Sequence, residues 1–132
     1  MVGAHLLYEL CKTGKKVKAL KRHTSNLEQV HKTFAYYTND ARQLFDTIEW
    51  VDGDILDYFS LEKLLNGVTE IYHCAAIVSL ESKERQRMIS NNVEGTANLV
   101  DAAIENGVKK ICHVSSIAAL GKLQNGAPVT EE

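Results

Sequence analysis

Apolar positions along the chain alternate between helical and extended spacing. Leu6, Leu7, Leu10 and Cys11 share one face of a helix over residues 3–13. Gly14 stops it, and Lys12, Lys15 and Lys16 suit the negative end of its dipole. Residues 16–22 alternate, with Val17, Ala19 and Lys21 on one side, and read as a strand. Ser25 is the expected N-cap of a helix carrying Leu27, Val30 and Phe34. Residues 38–47 read as a second short helix or a loop, and 48–54 as a strand ending near Gly53. Ser60 is the expected N-cap of a helix over 60–68, closed by Asn66 and Gly67. Residues 69–78 form an apolar strand running into a loop. Val93, Ala97, Val100 and Ile104 mark a long helix over roughly 84–106, and Asn106 and Gly107 end it. Residues 108–116 are the last strand, and 121–132 read as loop.

This order predicts an α/β fold with a parallel sheet covered on both faces. The strands at 69–78 and 108–116 are nearly continuous apolar runs, which predicts their burial. With 132 residues the chain is one domain, and no repeat, linker or second domain is visible. A 45% hydrophobic and 24% charged composition excludes disorder. Lys+Arg is 15 against Asp+Glu 17, so neither nucleic acid nor a membrane surface is expected as a partner. Cys11, Cys74 and Cys112 are too few and scattered for a disulfide framework. Free thiols, no apolar run near ~20 residues and no signal-peptide pattern predict a cytoplasmic protein.

Five stretches, in order along nearly the whole chain, carry a resemblance. They are VGAHLL at 2–7, VKALKR at 17–22, GDILD at 53–57, HCAAIVS at 73–79, and NVEGTANLVDAA at 92–103 followed by HVSS at 113–116. The chain resembles the extended short-chain dehydrogenase/reductase family, the NAD-dependent epimerase/dehydratase group. The resemblance implies a Rossmann-like, doubly wound parallel sheet. It also implies that residues 1–132 are a partial NAD(P)-binding domain, without the family's first strand and its C-terminal substrate-binding part.

The site residues follow from the resemblance. Gly3 matches the last glycine of the family's phosphate loop, which lets backbone and a helix N-terminus approach the pyrophosphate. Lys21, Arg22 and His23 stand where the second strand sets cofactor choice. An acid there suits ribose hydroxyls and a base the 2′-phosphate, so Arg22 favours NADP over NAD. A solvated charge at a strand end is the plain alternative. Asp54 resembles the acid that accepts the adenine amino proton, with the Ile55 backbone beside it. Ala75 and Ala76 follow the next strand, where small residues let the cofactor pass close to the backbone. Asn92 resembles the asparagine that braces the strand ends. Ser115 is nearer the cofactor, and Ser116 matches the residue that hydrogen-bonds the reacting oxygen of the substrate.

Other constellations are weaker. Asp52, Asp54 and Asp57 do not follow a calcium-loop pattern. His73, Cys74, Cys112 and His113 lie on two neighbouring strands, but adjacent strand residues face opposite ways, so no zinc site is expected. The family's catalytic Tyr-x-x-x-Lys pair lies beyond the serine. Here the only such spacing, Tyr8 to Lys12, is on the first helix and reads as coincidence. The chain as written is therefore expected to lack dehydrogenase activity.

The resemblance implies a longer protein that moves a hydride to or from a secondary alcohol or ketone, with a small-molecule substrate and a homodimeric assembly. Nucleotide-sugar epimerisation or dehydration, a non-catalytic NADP-binding regulator and an inert gene fragment are the alternatives. Without the central first strand, the strands at 17–21 and 70–75 would face each other across about 9.6 Å, twice the ordinary spacing. Either they close this gap or the sheet stays open there. Both outcomes imply weak or absent dinucleotide binding by this chain.

Overall fold

A computed structural model describes residues 2–121. Helix α1 (Val2–Lys12) leads into β1 (Lys18–Lys21), then α2 (Glu28–Tyr37), α3 (Ala41–Phe45) and β2 (Glu49–Asp52). Helix α4 (Tyr58–Leu64) and β3 (Glu70–His73) follow. A 3-10 turn (Ser82–Glu84), α5 (Arg85–Ile89), a π turn (Ser90–Glu94) and α6 (Gly95–Glu105) run on continuously before β4 (Lys110–His113). A last 3-10 turn spans Ile117–Leu120. The expected loop at 121–132 lies outside the described residues, apart from Gly121. No helix among the described residues is long and apolar enough to cross a membrane.

Both strand pairs are parallel. Lys18 to Lys21 register with Glu49 to Asp52, and Glu70 to His73 with Lys110 to His113. Among the described residues no ladder joins β1 to β3, and the strands form two pairs with a slot between them. The expected gap is thus left open. Polar side chains lie along it: Lys15 Nζ reaches Glu70 Oε2 of β3 at 3.1 Å, and Lys18 Nζ of β1 donates to the carbonyls of Leu64 and Asn66 at the end of α4, at 3.4 and 3.3 Å. The second pair of bonds also satisfies carbonyls left over at the end of α4.

Two cores lie on opposite faces. Tyr8, Cys11, Ala19, Phe34, Ala41 and Ile48 form one, beneath α1, α2 and α3. Ile55, Leu61, Leu65, Leu99, Ala102 and Ala103 form the other, beneath α4 and α6. Ala19 belongs to the first core and Leu20 packs on the second, as strand alternation requires. Phe34 and Leu61 are fully buried, and truncating such a residue to Ala typically costs ~2–5 kcal/mol.

Several expectations need correction. Tyr8, rather than the leucines beside it, is buried with Cys11 on α1, because its ring stacks on Tyr37 at 4.5 Å and meets Phe34 edge-on at 5.6 Å. Ser25 does not cap α2. Its Oγ accepts from the Arg22 N–H at 3.1 Å, closing a turn after β1, while the Asn26 side chain accepts from the Glu28 N–H at 2.8 Å. Ser60 lies inside α4, and the cap is Asp57. The burial expected for the late strands does not hold either. Every residue of β4 is exposed, and on β3 only His73 is buried. The helices of the first core pack over β1 and β2, so among the described residues they leave the corresponding face of β3 and β4 uncovered.

Candidate cofactor-binding site

Because all strands run parallel within their pairs, the residues after each strand collect at carboxyl ends, where open α/β sheets bind ligands. Arg22 follows β1 directly. The Ser25 turn holds it there: besides the bond to Ser25 Oγ, the Ser25 N–H donates to the Arg22 carbonyl at 2.8 Å. Its neighbour Lys21 is already engaged by Asp52 across the ladder. That hydrogen bond holds the Asp52 carboxyl below its ordinary range, with His23 adding a smaller push in the same direction. Arg22 itself is exposed, with its backbone fixed and its guanidinium in no ion pair among the described residues.

After β2 the chain passes Gly53, where a Cβ would lie 2.8 Å from Leu20 Cδ1 and 3.4 Å from Ser60 Oγ. Asp54 is exposed, and its Oδ1 accepts from the Leu56 N–H at 3.0 Å. Ile55 turns its side chain into the second core, and its carbonyl accepts from Asn98 Nδ2 at 3.2 Å. The carboxylate therefore stays at the rim while the residue after it anchors the loop.

After β3 come Cys74, Ala75 and Ala76, half-buried, exposed and exposed in turn. The N-terminus of α1 abuts this segment, since a Cβ on Gly3 would lie 3.4 Å from Cys74 Cβ. Asn92, in the π turn, grips the segment's far end. Its Oδ1 accepts from the Ile77 N–H and its Nδ2 donates to the Ile77 carbonyl, both at 2.8 Å. At the near end, His73 Nε2 lies 2.9 Å from Thr96 Oγ1, and Thr96 Oγ1 donates to the Asn92 carbonyl at 2.7 Å. Burial first, and then the neighbouring His113, lower the His73 pKa from its ordinary value.

After β4, Ser115 is exposed, and Ser116 caps the final 3-10 turn by accepting from the Ala118 N–H at 3.2 Å. His73 and His113 stack at 5.1 Å on the face toward α6, whereas Cys74 lies against Gly3 of α1. No group of three or more potential metal ligands comes together among the described residues.

Gly3, Arg22, Asp54, Ile55, Ala75, Ala76, Asn92, Ser115 and Ser116 thus all lie at carboxyl ends of strands or on the helix turns that abut them. Sequence reasoning missed three contributors: Thr96, Asn98 and Gly95. All three sit within the stretch NVEGTANL at 92–99, and their small or amide side chains inside a helix were the available signal.

The residues present fit a dinucleotide on structural grounds. A helix N-terminus lies beside the end of β3, two exposed alanines follow that strand, and a cation and a carboxylate follow the other pair.

The model of the NAD dependent epimerase/dehydratase family matches residues 1–132. "Sterol demethylase protein B" of Methylococcus capsulatus is 32% identical over 126 residues, covering 96% of this chain and 34% of that protein. The "Putative dihydroflavonol 4-reductase" of Synechocystis is 31% identical over 130 residues, covering 98% and 34%. The chain thus spans about a third of the length of these curated relatives. A UDP-glucose 4-epimerase from Bifidobacterium longum, solved with NAD+ and UDP, shares the fold at a TM-score of 0.76 with 23% identity, covering 99% of this chain and 38% of that one. Matched over its whole length, and with its chemistry-bearing residues gathered at the ends of parallel strands, this chain belongs to the NAD-dependent epimerase/dehydratase family.

Proposed function

We propose that the chain is the cofactor-binding part of an oxidoreductase that interconverts a secondary alcohol and a ketone on a small-molecule substrate, with NADP preferred over NAD. The observation that carries this reading is the placement of Arg22, Asp54, Ala75, Ala76 and Ser116 in the segments that follow four strands, which run parallel within each pair. The relative named a putative dihydroflavonol 4-reductase, at 31% identity, supports the choice of redox chemistry.

When bound, the nicotinamide supplies the hydride chemistry. The chain's own residues bind and orient. Gly3 opens α1, where backbone N–H groups and the helix dipole favour phosphate. Asp54 keeps one carboxylate oxygen outside its local turn and can accept from the adenine amino group. Arg22 supplies a planar, permanently charged fork for a 2′-phosphate. Lys21, already paired with Asp52, is the poorer candidate for that phosphate. Ser116 offers a hydroxyl to the substrate oxygen, and Ser115 lies on the cofactor side of it.

The test is a titration of a protein that carries a glycine loop ahead of Gly3. Arg22→Ala should weaken NADP(H) binding by about 1–3 kcal/mol, the range for hydrogen bonds to charged groups, and leave NAD(H) binding nearly unchanged. Equal losses for both cofactors would remove Arg22 from the phosphate site.

A further inference from the structure

We propose that His73 is a positioning residue: as the neutral Nε2–H tautomer it sets, through Thr96, the place of the Asn92 amide that holds the backbone of Ile77. Its purpose rests on the proposed cofactor site, but the network follows from proton bookkeeping alone. Thr96 has one hydroxyl proton. The Asn92 carbonyl, 2.7 Å from Thr96 Oγ1, can only accept, so that proton is committed to it. Toward His73 Nε2, at 2.9 Å, Thr96 can then only accept, and the hydrogen must be on the ring. With His73 4% exposed and stacked on His113, a second proton on the imidazole is disfavoured. Nδ1 is left unprotonated.

The consequence is geometric. His73 ends β3 and is tied to Thr96 on α6, while Ile77 is tied to Asn92 one helical turn earlier. Cys74, Ala75 and Ala76 are therefore strung between two points fixed on the same helix, and these are the residues placed along the cofactor. The two points are not independent, because the Thr96 hydroxyl bonds the main chain of Asn92 itself. Losing the imidazole donor leaves Thr96 Oγ1 with an unfilled acceptor in a half-buried place and removes the nearer tether. A core histidine serving only to fill space would make neither demand.

The experiment is NMR on the isotope-labelled 132-residue chain, without cofactor. Long-range proton–nitrogen correlations should show His73 protonated at Nε2 and bare at Nδ1 at pH 7. Exchange of the Ile77 amide should accelerate by about tenfold or more in His73→Leu and in Thr96→Val, the scale of one lost hydrogen bond. It should stay near the wild-type rate in His73→Gln, whose amide keeps a donor at the same reach, and in Thr96→Ser. An Nδ1–H tautomer, or an unchanged Ile77 rate in folded His73→Leu, would overturn the proposal. If His73→Leu fails to fold, the wild-type tautomer and the contrast between Thr96→Val and Thr96→Ser decide it. No cofactor enters these measurements, so failure of the Arg22 titration leaves them untouched, and the reverse also holds.

Discussion

Replacing Gly95 by Ala would ordinarily strengthen a helix, by about 0.8–1.0 kcal/mol of intrinsic propensity. Here the opposite sign is expected. Gly95 is buried at the junction of the π turn and α6, in ordinary helical backbone with φ −62°. A Cβ there would lie 2.7 Å from both Cδ1 and Cγ1 of Ile55 and 3.4 Å from its Cβ. Carbon atoms attract best at ~3.5–4.0 Å, so both contacts are deep in the repulsive range. Ile55 cannot swing away cheaply, because it packs in the core with Leu61, Leu65 and Leu99. Overpacking of this kind costs about 1–3 kcal/mol. Set against the propensity gain, the net loss is about 1 kcal/mol. At a urea slope of ~1–3 kcal/mol per molar, the midpoint should fall by roughly 0.5 M. Ile55→Ala removes both clashing carbons and itself costs about 2–5 kcal/mol. In that background Gly95→Ala should change sign and stabilise by about 1 kcal/mol, since only the propensity term remains. A Gly95→Ala protein more stable than wild type would refute the close packing of Gly95 on Ile55.

Two further outcomes test the site's framework. Asn92→Ala removes two 2.8 Å bonds to the Ile77 backbone and should cost about 1–3 kcal/mol in urea unfolding; a loss under about 0.3 would show that the clamp does not form in solution. His73 titrates below its ordinary 6.5 when folded, mainly through burial, so the unfolded chain takes up the proton first as pH falls. Its stability contribution is fully present above 6.5 and is lost as the pH drops from there toward the folded value. His73→Gln should flatten this part of the stability profile, and an unchanged slope between pH 7 and 5.5 would contradict it. Asp52 and Glu70, whose ordinary values are 3.8 and 4.5, act only at lower pH.

The order of helices and strands was legible because their periodicity is local, but the buried face of the long helix was not: Val93, Ala97 and Ile104 share the expected face and are exposed, while Leu99, Ala102 and Ala103 carry the core. The candidate site residues follow from the family resemblance and not from periodicity; the structure places Arg22, Asp54, Ala75 and Ser116 in the segments after β1, β2, β3 and β4. Burial of β3 and β4 was misjudged because an apolar run reports what a strand can bury. The helices that cover β1 and β2 do not reach the same face of the second pair. Ser25 and Ser60 were misplaced because Ser, Asn and Asp compete for the same caps, and only backbone geometry decides among neighbours such as Asp57 and Ser60. The π turn gave no periodic signal. Its effect is a one-residue shift that brings the Gly95 N–H to the Ser90 carbonyl, and it surfaces only when Asn92 and Thr96 are seen to meet residues 77 and 73.

The proposed function puts the adenosine half of the cofactor across the carboxyl ends of β1 and β2. That pair has a core on each side and does not depend on the slot beside it, so even a fragment of the cofactor should find the site. Adenosine 2′-monophosphate titrated into the labelled chain should bind with a dissociation constant of about a millimolar, some 4 kcal/mol. Amide shifts should be confined to residues 22–25 and 53–56. Shifts at the opposite ends of the same strands, around Val17 and Ile48, or no response in residues 22–25 and 53–56, would contradict it.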